Sequence, residues 1–264
     1  MADVFQSSRL TLLRAQHHID DLNAKINEFV SNQPWSMIVE PDFQTRQNVV
    51  KVKFARRLPN DLPCILFDAV NNLRAALDQA GYASAIAGGK INPKKTNFPF
   101  ADDLTGLNDN IDGKRSVCKD LPPKITALFR GFRPYKGRDD ATGNDILWAV
   151  NKLCNTQKHC DLIPFTLGDV RISDPDGSNI VQGTLGIHNP FWDPNKYEII
   201  LDRIPMSEPT PDYKPYVALN VAIQSAAIES SKPAIGVLRE MMRVADCILS
   251  ATEAECRRLG FRIA

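Results

Sequence analysis

The segment from Asp61 to Ala87 most constrains the fold, because apolar residues cover a wide part of its helical surface. Asp61 is a suitable N-cap, and Pro63 falls in the first turn, where the missing N–H of proline costs little. Gly88 and Gly89 end the helix. A helix with so much apolar surface is buried on several sides, so we expect it at the centre of a helical core.

Apolar residues at three- and four-residue spacing predict further helices along the chain. A long stretch rich in proline, glycine, asparagine and aspartate interrupts them and predicts irregular structure. The predicted helices are residues 7–32, a short one after Pro122 and Pro123, 144–155 and 233–258, and the irregular stretch is 90–121.

Two groups of β-like segments are present. Ser36–Glu40 and Val49–Phe54 are rich in branched residues and predict an N-terminal hairpin. Later segments are separated by Asp-Pro-Asp-Gly, Asn-Pro and proline-rich turns, which predicts an antiparallel sheet. These later strands are predicted at 163–167, 179–187, 197–204 and 216–223.

The order of these elements predicts an α+β fold with about five helices, both termini helical. We expect a single domain over residues 1–264, because the last helix needs the earlier helices to bury its apolar stripe. Its helical core takes in about 7–160 and 233–258, and its β-rich insertion covers about 162–225. A division into two domains near residue 160 is the alternative.

The bulk composition excludes several classes of protein. A hydrophobic content of 43% and a charged content of 24% exclude a disordered chain, and a net charge of +1 gives no general attraction to nucleic acid or membrane. No apolar run approaches the roughly 20 residues that a membrane helix needs, and no secretory signal is present. We therefore expect a cytoplasmic protein with reduced cysteines and no membrane partner. The sequence carries no cofactor motif and no ligand pairs at zinc spacing, so neither a cofactor nor a metal is predicted.

The apolar central helix carries polar residues on two of its faces. Asp68, Asn72 and Gln79 lie near one face, and Arg74 and Asp78 lie four apart on another. Buried polar groups are costly unless they have partners. They either fix the register of the helix, with Arg74 paired to Asp78 on a solvent face, or form a functional site.

A second polar cluster follows in residues 151–160. If the helix continues, Asn151, Asn155 and His159 stack one turn apart on a single face, with Lys158 beside them. Histidine exchanges protons near neutral pH, and a neighbouring asparagine can orient it or a substrate. The other interpretation is that these residues cap the end of the helix.

These two clusters carry a resemblance to a known family. Residues 72–80, Asn-Leu-Arg-Ala-Ala-Leu-Asp-Gln-Ala, resemble the N-L-R-S-A-L-D-H-L helix of a widespread bacterial family of uncharacterised proteins. Residues 153–159, Leu-Cys-Asn-Thr-Gln-Lys-His, resemble its later L-x-N-x-D-K-H element. Residues 97–100 and 132–135 are similar to features between these elements. The match covers roughly residues 7–165.

The helix of that family is in turn similar to the R-x4–6-H signature of HEPN helical domains, many of which are metal-independent, dimeric ribonucleases. The resemblance implies that Arg74 holds phosphate and that a histidine moves protons. Here the histidine position is Gln79, whose amide is neither an acid nor a base near neutral pH, and Gln157 replaces the aspartate of the second element. The candidate catalytic residues are therefore Arg74, Asn155, Lys158 and His159.

A basic segment with interleaved aromatic residues follows the irregular stretch. Residues 90–138 contain 11 Lys and Arg against 5 Asp, a local balance of +6 that leaves the remainder of the chain at −5. Cations track a phosphate backbone and aromatic rings stack on bases. Alternatively, Phe129 and Phe132 point into the core while the arginines extend outward. The candidate nucleic-acid-binding residues are Arg130, Arg133, Tyr135, Lys136 and Arg138.

Three functions remain open on these observations. The first is an RNA-directed protein with a degenerate HEPN-like core, acting in bacterial stress or phage defence with weak or lost ribonuclease activity. The second is a non-catalytic interaction module that forms a homodimer. The third is an enzyme for small molecules that uses Asn155 and His159.

Overall fold

A computed structural model describes residues 3–137, 142–159, 161–173, 191–193, 196–208, 216–229 and 232–263. The helices in these ranges are α1 (Gln6–Ser31), α2 (Leu62–Ala87), α3 (Leu104–Asp112), α4 (Pro123–Gly131), α5 (Asp145–His159) and α6 (Ala234–Arg258). The strands are β1 (Trp35–Asp42), β2 (Gln47–Phe54), β3 (Phe165–Ser173), β4 (Phe191–Asp193), β5 (Glu198–Pro205) and β6 (Tyr216–Ile223). The fold class is α+β, as the sequence predicts.

The chain divides into two compact units, each built from separated segments. Residues 1–23, 61–164 and 223–264 form the helical unit, and residues 24–60 and 165–222 form the β unit. The N-terminal hairpin therefore groups with the later strands and not with the helices. The arrangement of the whole chain as one domain stays a prediction.

The helical unit is built around α2. This helix packs against α5 and α6, and its apolar residues Leu66, Leu73 and Leu77 are completely buried. Gly88 follows its last turn, and Gly89 has a φ of +89°, a backbone conformation that favours glycine. The central position of the most apolar helix is thus confirmed.

The predicted irregular stretch at 90–121 contains a helix that the sequence did not indicate. Asp103 caps α3 by accepting the backbone N–H of Gly106 at 2.8 Å. Leu107 and Ile111, one turn apart, are its buried residues. Two apolar residues are too few to give a periodic signal, so the expectation of an irregular stretch was wrong for these residues.

The chain just before α3 is fastened at several points within the helical unit. One oxygen of Asp120 accepts the backbone N–H groups of both Lys94 and Lys95 at 2.9 Å. The ring of Phe98 lies 4.8 Å from those of Phe100 and Phe129, measured between centroids. This segment, residues 94–100, is therefore held against the helices and becomes part of the site described below.

The β unit contains a four-stranded sheet in the order β1-β2-β5-β4 and a two-stranded pairing of β3 with β6. The predicted hairpin is present, with Trp35 opposite Phe54 at its open end. β2 pairs antiparallel with β5, which joins the hairpin to strands far along the chain. The predicted strand at 179–187 lies outside the described residues.

Candidate functional site

Arg74 reaches from α2 to α5 and is oriented from two sides. Its Nη1 donates a hydrogen bond to Oδ1 of Asn155, and its Cζ lies 5.6 Å from the centroid of the Phe100 ring. A guanidinium over an aromatic face gains cation–π attraction. The side chain stays partly exposed, so its position is fixed while solvent still reaches it.

Asn155 is itself held by its own helix. Its Nδ2 donates to Oδ1 of Asn151 at 3.3 Å, one turn earlier. Lys158 is exposed and follows Asn155 by three residues on α5, so the two are neighbours on the helix surface. The helix continues to His159, four residues beyond the predicted end, so Asn155 is not a C-terminal cap. The side chain of His159 lies outside the described part of the structure.

Asp78 shares this side of α2 with Arg74 but has a different hydrogen-bond partner. Its Oδ1 accepts the backbone N–H of Phe98 at 2.9 Å. Burial raises the pKa of Asp78 above its ordinary value, and this effect outweighs the Phe98 hydrogen bond and the charges of Arg74 and Lys158, which lower it. The site therefore contains a carboxyl group that holds its proton more strongly than usual, beside two cations. We call these four residues, Arg74, Asp78, Asn155 and Lys158, the Arg74 site.

The raised pKa of Asp78 predicts a specific dependence of stability on pH. At a pH below the ordinary value of 3.8, this carboxyl is protonated in both folded and unfolded chains. As pH rises toward the folded pKa, the unfolded chain ionises first, so the free energy of unfolding falls. We expect Asp78→Asn, which keeps an acceptor oxygen for Phe98, to lack this fall when urea denaturation is repeated at increasing pH from below 3.8.

Asp120 gives the matched control for that experiment. Backbone hydrogen bonds from Lys95 and Lys94 lower its pKa, so its contribution to stability is present above 3.8 and is lost as pH falls. The difference between wild type and Asp120→Asn should therefore change with pH in the opposite direction to that for Asp78→Asn. If the stability difference from wild type changes with pH in the same way for both variants, the opposite pKa shifts assigned to Asp78 and Asp120 are contradicted.

Gln79, at the position where the resemblance leads one to expect a histidine, has a structural role. Its Oε1 accepts hydrogen bonds from the hydroxyl groups of Ser7 at 3.0 Å and Thr11 at 2.9 Å, which connects α2 to α1. Nearby, Nδ2 of Asn72 donates to the backbone oxygen of Asp68 at 2.7 Å, and the Asp68 side chain is exposed. This face of α2 therefore binds a neighbouring helix and its own backbone, in agreement with the interpretation that these polar residues fix the helix.

Removal of these two hydrogen bonds should be measurable. We expect Gln79→Ala to lower the free energy of unfolding by about 1 kcal/mol, since a net intramolecular hydrogen bond contributes about that much and these bonds are partly exposed. Gln79→Glu keeps an acceptor for both hydroxyl groups and should remain close to wild type. Urea denaturation monitored by circular dichroism compares the three proteins, and equal losses in both variants would exclude this role.

The basic segment is only partly available for a ligand. Arg130 donates to Asn108 and Asp112, both at 2.6 Å, which connects α4 to α3. The ring of Tyr135 is 5% exposed, and its hydroxyl group lies 3.3 Å from the backbone oxygen of Thr142. Phe129 is completely buried. The rings of Phe129 and Tyr135 are thus unavailable for stacking on bases. The expected burial in the core is found for Phe129, whereas Phe132 is partly exposed.

The remaining cations of this segment differ in their surroundings. Arg133 is exposed and donates to the Thr142 backbone oxygen at 3.3 Å. Lys136 is exposed, with its Nζ 4.7 Å from the centroid of the Trp148 ring. Arg138 lies outside the described residues. Of the five candidate nucleic-acid-binding residues, Arg133 and Lys136 are therefore the ones that the structure shows as exposed.

Sequence reasoning found Arg74 and Asn155 but missed two parts of their setting. The first is the Phe100 ring beneath the Arg74 guanidinium, and the second is the backbone N–H of Phe98 on Asp78. Both belong to the Asn97-Phe-Pro-Phe100 segment, which the resemblance includes without giving it a role. Residue spacing does not connect position 100 to position 74. The order of these segments along the chain is therefore the one sequence feature that links the Phe100 segment to Arg74.

Within the ranges that the structure describes, no group of three or more His, Cys, Asp or Glu is arranged to hold a metal ion. None of the helices in those ranges has both the length and the apolar character needed to cross a bilayer.

The chain was also compared with known proteins. No protein-family model matches it, and neither a curated protein sequence nor a solved structure matches it significantly.

Proposed function

We propose that the protein binds RNA through backbone phosphates at the Arg74 site, with ribonuclease activity weak or lost. The observation that carries this proposal is the position of the Arg74 guanidinium, which is partly exposed and held between Asn155 and the Phe100 ring. A guanidinium fixed in this way is prepared for an anion before the anion arrives, which reduces the entropy lost on binding.

The chemistry of the surrounding groups supports a phosphate as the anion. Guanidinium has five N–H donors in a planar fork that matches phosphate oxygens, and within the described residues Asn155 is the one hydrogen-bond acceptor given to Arg74. Lys158 adds a second cation on the same surface.

The same site argues against efficient cleavage. The position that carries a histidine in the resembling family is Gln79, whose amide oxygen accepts two hydroxyl hydrogen bonds on the face toward α1. Among the candidate catalytic residues, His159 is then the remaining histidine. We therefore propose binding as the function and assign Arg74 to phosphate contact.

Fluorescence anisotropy with a labelled single-stranded RNA tests this proposal. We expect Arg74→Ala to weaken binding about tenfold or more, since a hydrogen-bonded charge pair contributes roughly 1.5–3 kcal/mol. The magnitude of the slope of log K against log salt concentration should decrease by about 1, the contribution of one phosphate contact. Arg74→Lys keeps the positive charge but not the planar fork of donors, so its RNA affinity should lie between those of wild type and Arg74→Ala.

Arg239→Ala, which removes an exposed arginine from α6, is the matched control and should bind RNA like wild type. Equal affinities for Arg74→Ala and Arg239→Ala would exclude Arg74 as the phosphate contact. Incubation of the same RNA with wild type and with His159→Ala measures any residual cleavage. Rapid cleavage that requires His159 would contradict the loss of activity.

A homodimeric interaction module remains a second candidate, and two exposed leucines favour it. Leu10 and Leu13 on α1 are 58% and 62% exposed, and their three-residue spacing puts them on one helical face. Paired exposed apolar side chains are typical of contact surfaces. Sedimentation analysis of wild type and Leu13→Glu tests this, and a wild-type monomer at high concentration would exclude it.

A further inference from the structure

A cleft of about 410 Å³ lies in the helical unit. One wall is the outer face of α5, and the other consists of two loops, residues 161–164 and 224–227. The backbone N–H of Gln224 donates to the Pro164 oxygen at 2.9 Å and joins the two loops. The volume lies in the range of small-molecule pockets.

Trp148 gives the cleft an aromatic wall. Its indole N–H is already bonded to Asp102 at 3.0 Å, so the indole offers mainly apolar ring surface. Lys136 lies against the ring, and the residue as a whole is only 9% exposed. The indole is therefore held rigidly and lines the cleft, where it can offer a base a ring edge and not an open face.

The polar groups of the cleft are of different kinds, and one is a carboxylate: Asp161, whose Oδ1 accepts the backbone N–H of Leu162 at 2.7 Å. Lys152 and Thr156 line it from α5, one turn apart, with an ammonium group and a hydroxyl group. Gln224 and Ser225 line it from the opposite loop with an amide and a second hydroxyl. An amide presents a donor and an acceptor together, which suits the edge of a heterocyclic base. An ammonium group suits an attached phosphate.

The cleft and the Arg74 site share α5. Lys152 lies three residues before Asn155, and Thr156 is the next residue after it. Residues three apart on a helix are neighbours, with Cβ atoms about 5–6 Å apart. Lys152, which lines the cleft, is thus a neighbour of Asn155, which holds Arg74, and a nucleotide bound at both places would lie along this part of α5.

We propose that this cleft takes the base of a nucleotide whose phosphate lies at the Arg74 site. This inference rests on the proposed function and extends it, because it names the part of the RNA that the protein holds in addition to the backbone. It makes the base, in contact with Trp148 and facing Gln224, responsible for part of the affinity.

Binding of two RNA oligonucleotides of equal length tests the proposal, one intact and one with abasic positions. We expect wild type to bind the intact RNA roughly tenfold more tightly, the size of one base contact with an aromatic side chain. Thr156→Trp fills the cleft with an indole from a partly exposed helix position. This variant should bind intact RNA only as tightly as abasic RNA, and its affinity for abasic RNA should equal that of wild type.

Two results would overturn the inference. The first is equal affinity of wild type for intact and abasic RNA, and the second is an equal effect of Thr156→Trp on both. Circular dichroism of Thr156→Trp confirms that the variant is folded. Lys152→Ala is an independent variant with a smaller side chain, and it should also weaken intact RNA, whereas Arg239→Ala should not.

A second arm separates this inference from the proposed function. Calorimetric titrations with a nucleoside 5′-monophosphate and with ribose 5-phosphate compare a ligand that has a base with one that lacks it, in the absence of RNA. Binding of the nucleotide alone, abolished by Thr156→Trp, supports the cleft even if RNA does not bind. Salt-sensitive RNA binding that requires Arg74 but does not distinguish intact from abasic RNA would uphold the proposed function and exclude the cleft.

Discussion

Gly81→Ala is expected to lower the free energy of unfolding by about 2 kcal/mol, although it places a better helix former in the middle of α2. A Cβ at this position would overlap the backbone oxygen of Thr96 and lie 3.2 Å from its carbonyl carbon. Overpacking against a fixed backbone group costs about 3 kcal/mol, and the gain in helix propensity offsets about 1 kcal/mol. Urea denaturation measures the difference.

Gly236→Ala is the matched control, because Gly236 is also helical but its Cβ would meet only Pro233, at 3.9 Å. We expect this variant to gain about 1 kcal/mol from helix propensity alone. A Gly81→Ala protein as stable as Gly236→Ala would show that Thr96 moves aside freely. The reason to expect resistance is that Asp120 and Asp78 hold residues 94–98 from two directions.

The close approach at Gly81 also matters for the Arg74 site. Thr96 lies two residues before Phe98, whose backbone N–H is bonded to Asp78, and four before Phe100, whose ring lies under Arg74. A shift of this segment would therefore change both the carboxyl and the guanidinium. A Gly81→Ala protein that folds should bind RNA more weakly than its stability alone would suggest.

The helices of the core could be predicted because their burial is local in sequence. The central helix was expected at 61–87 and is found at Leu62–Ala87, and the last was expected at 233–258 and is found at Ala234–Arg258. In both, apolar residues repeat along a single continuous segment. Such a repeat indicates where the helix begins and ends, whichever element packs against it.

Long-range pairing could not be predicted in the same way. The hairpin was expected by itself, but β2 also pairs with β5, so that Val52 lies opposite Ile199. A strand with two open edges can pair with many other strands, and its own sequence does not determine which of them becomes its partner. For the same reason the Phe100 ring was not expected beneath Arg74, whereas Arg74 and Asn155 belong to recognisable motifs and were expected together.

Replacing Lys51 in β2 with methionine should lower the free energy of unfolding by about 3–5 kcal/mol, the usual cost of leaving one partner of a buried ion pair without its counter-charge. The Lys51 side chain is 7% exposed and its Nζ lies 2.9 Å from Oε2 of Glu198, whose side chain is 4% exposed. A second carboxylate, that of Glu40 on β1, also contacts this ammonium group. Burial opposes the charge of Lys51, but hydrogen bonds to Glu40 and Glu198 outweigh burial and raise its pKa. Thermal and urea denaturation measure the loss.

The double replacement Lys51→Met with Glu198→Met decides whether that loss comes from the missing charge or from the missing packing. If the unpaired Glu198 carboxylate is responsible, the second replacement should restore most of the stability, because two apolar side chains of similar volume no longer need counter-charges. Arg243→Met is the comparison at the surface, since Arg243 pairs with Glu240 on exposed turns of α6 and should change stability little. A double variant less stable than Lys51→Met would instead assign the loss to packing. Lys51 and Lys53 alternate with Val50 and Val52 along β2, and the antiparallel partner β5 supplies Glu198, which makes Lys51 a buried, paired cation.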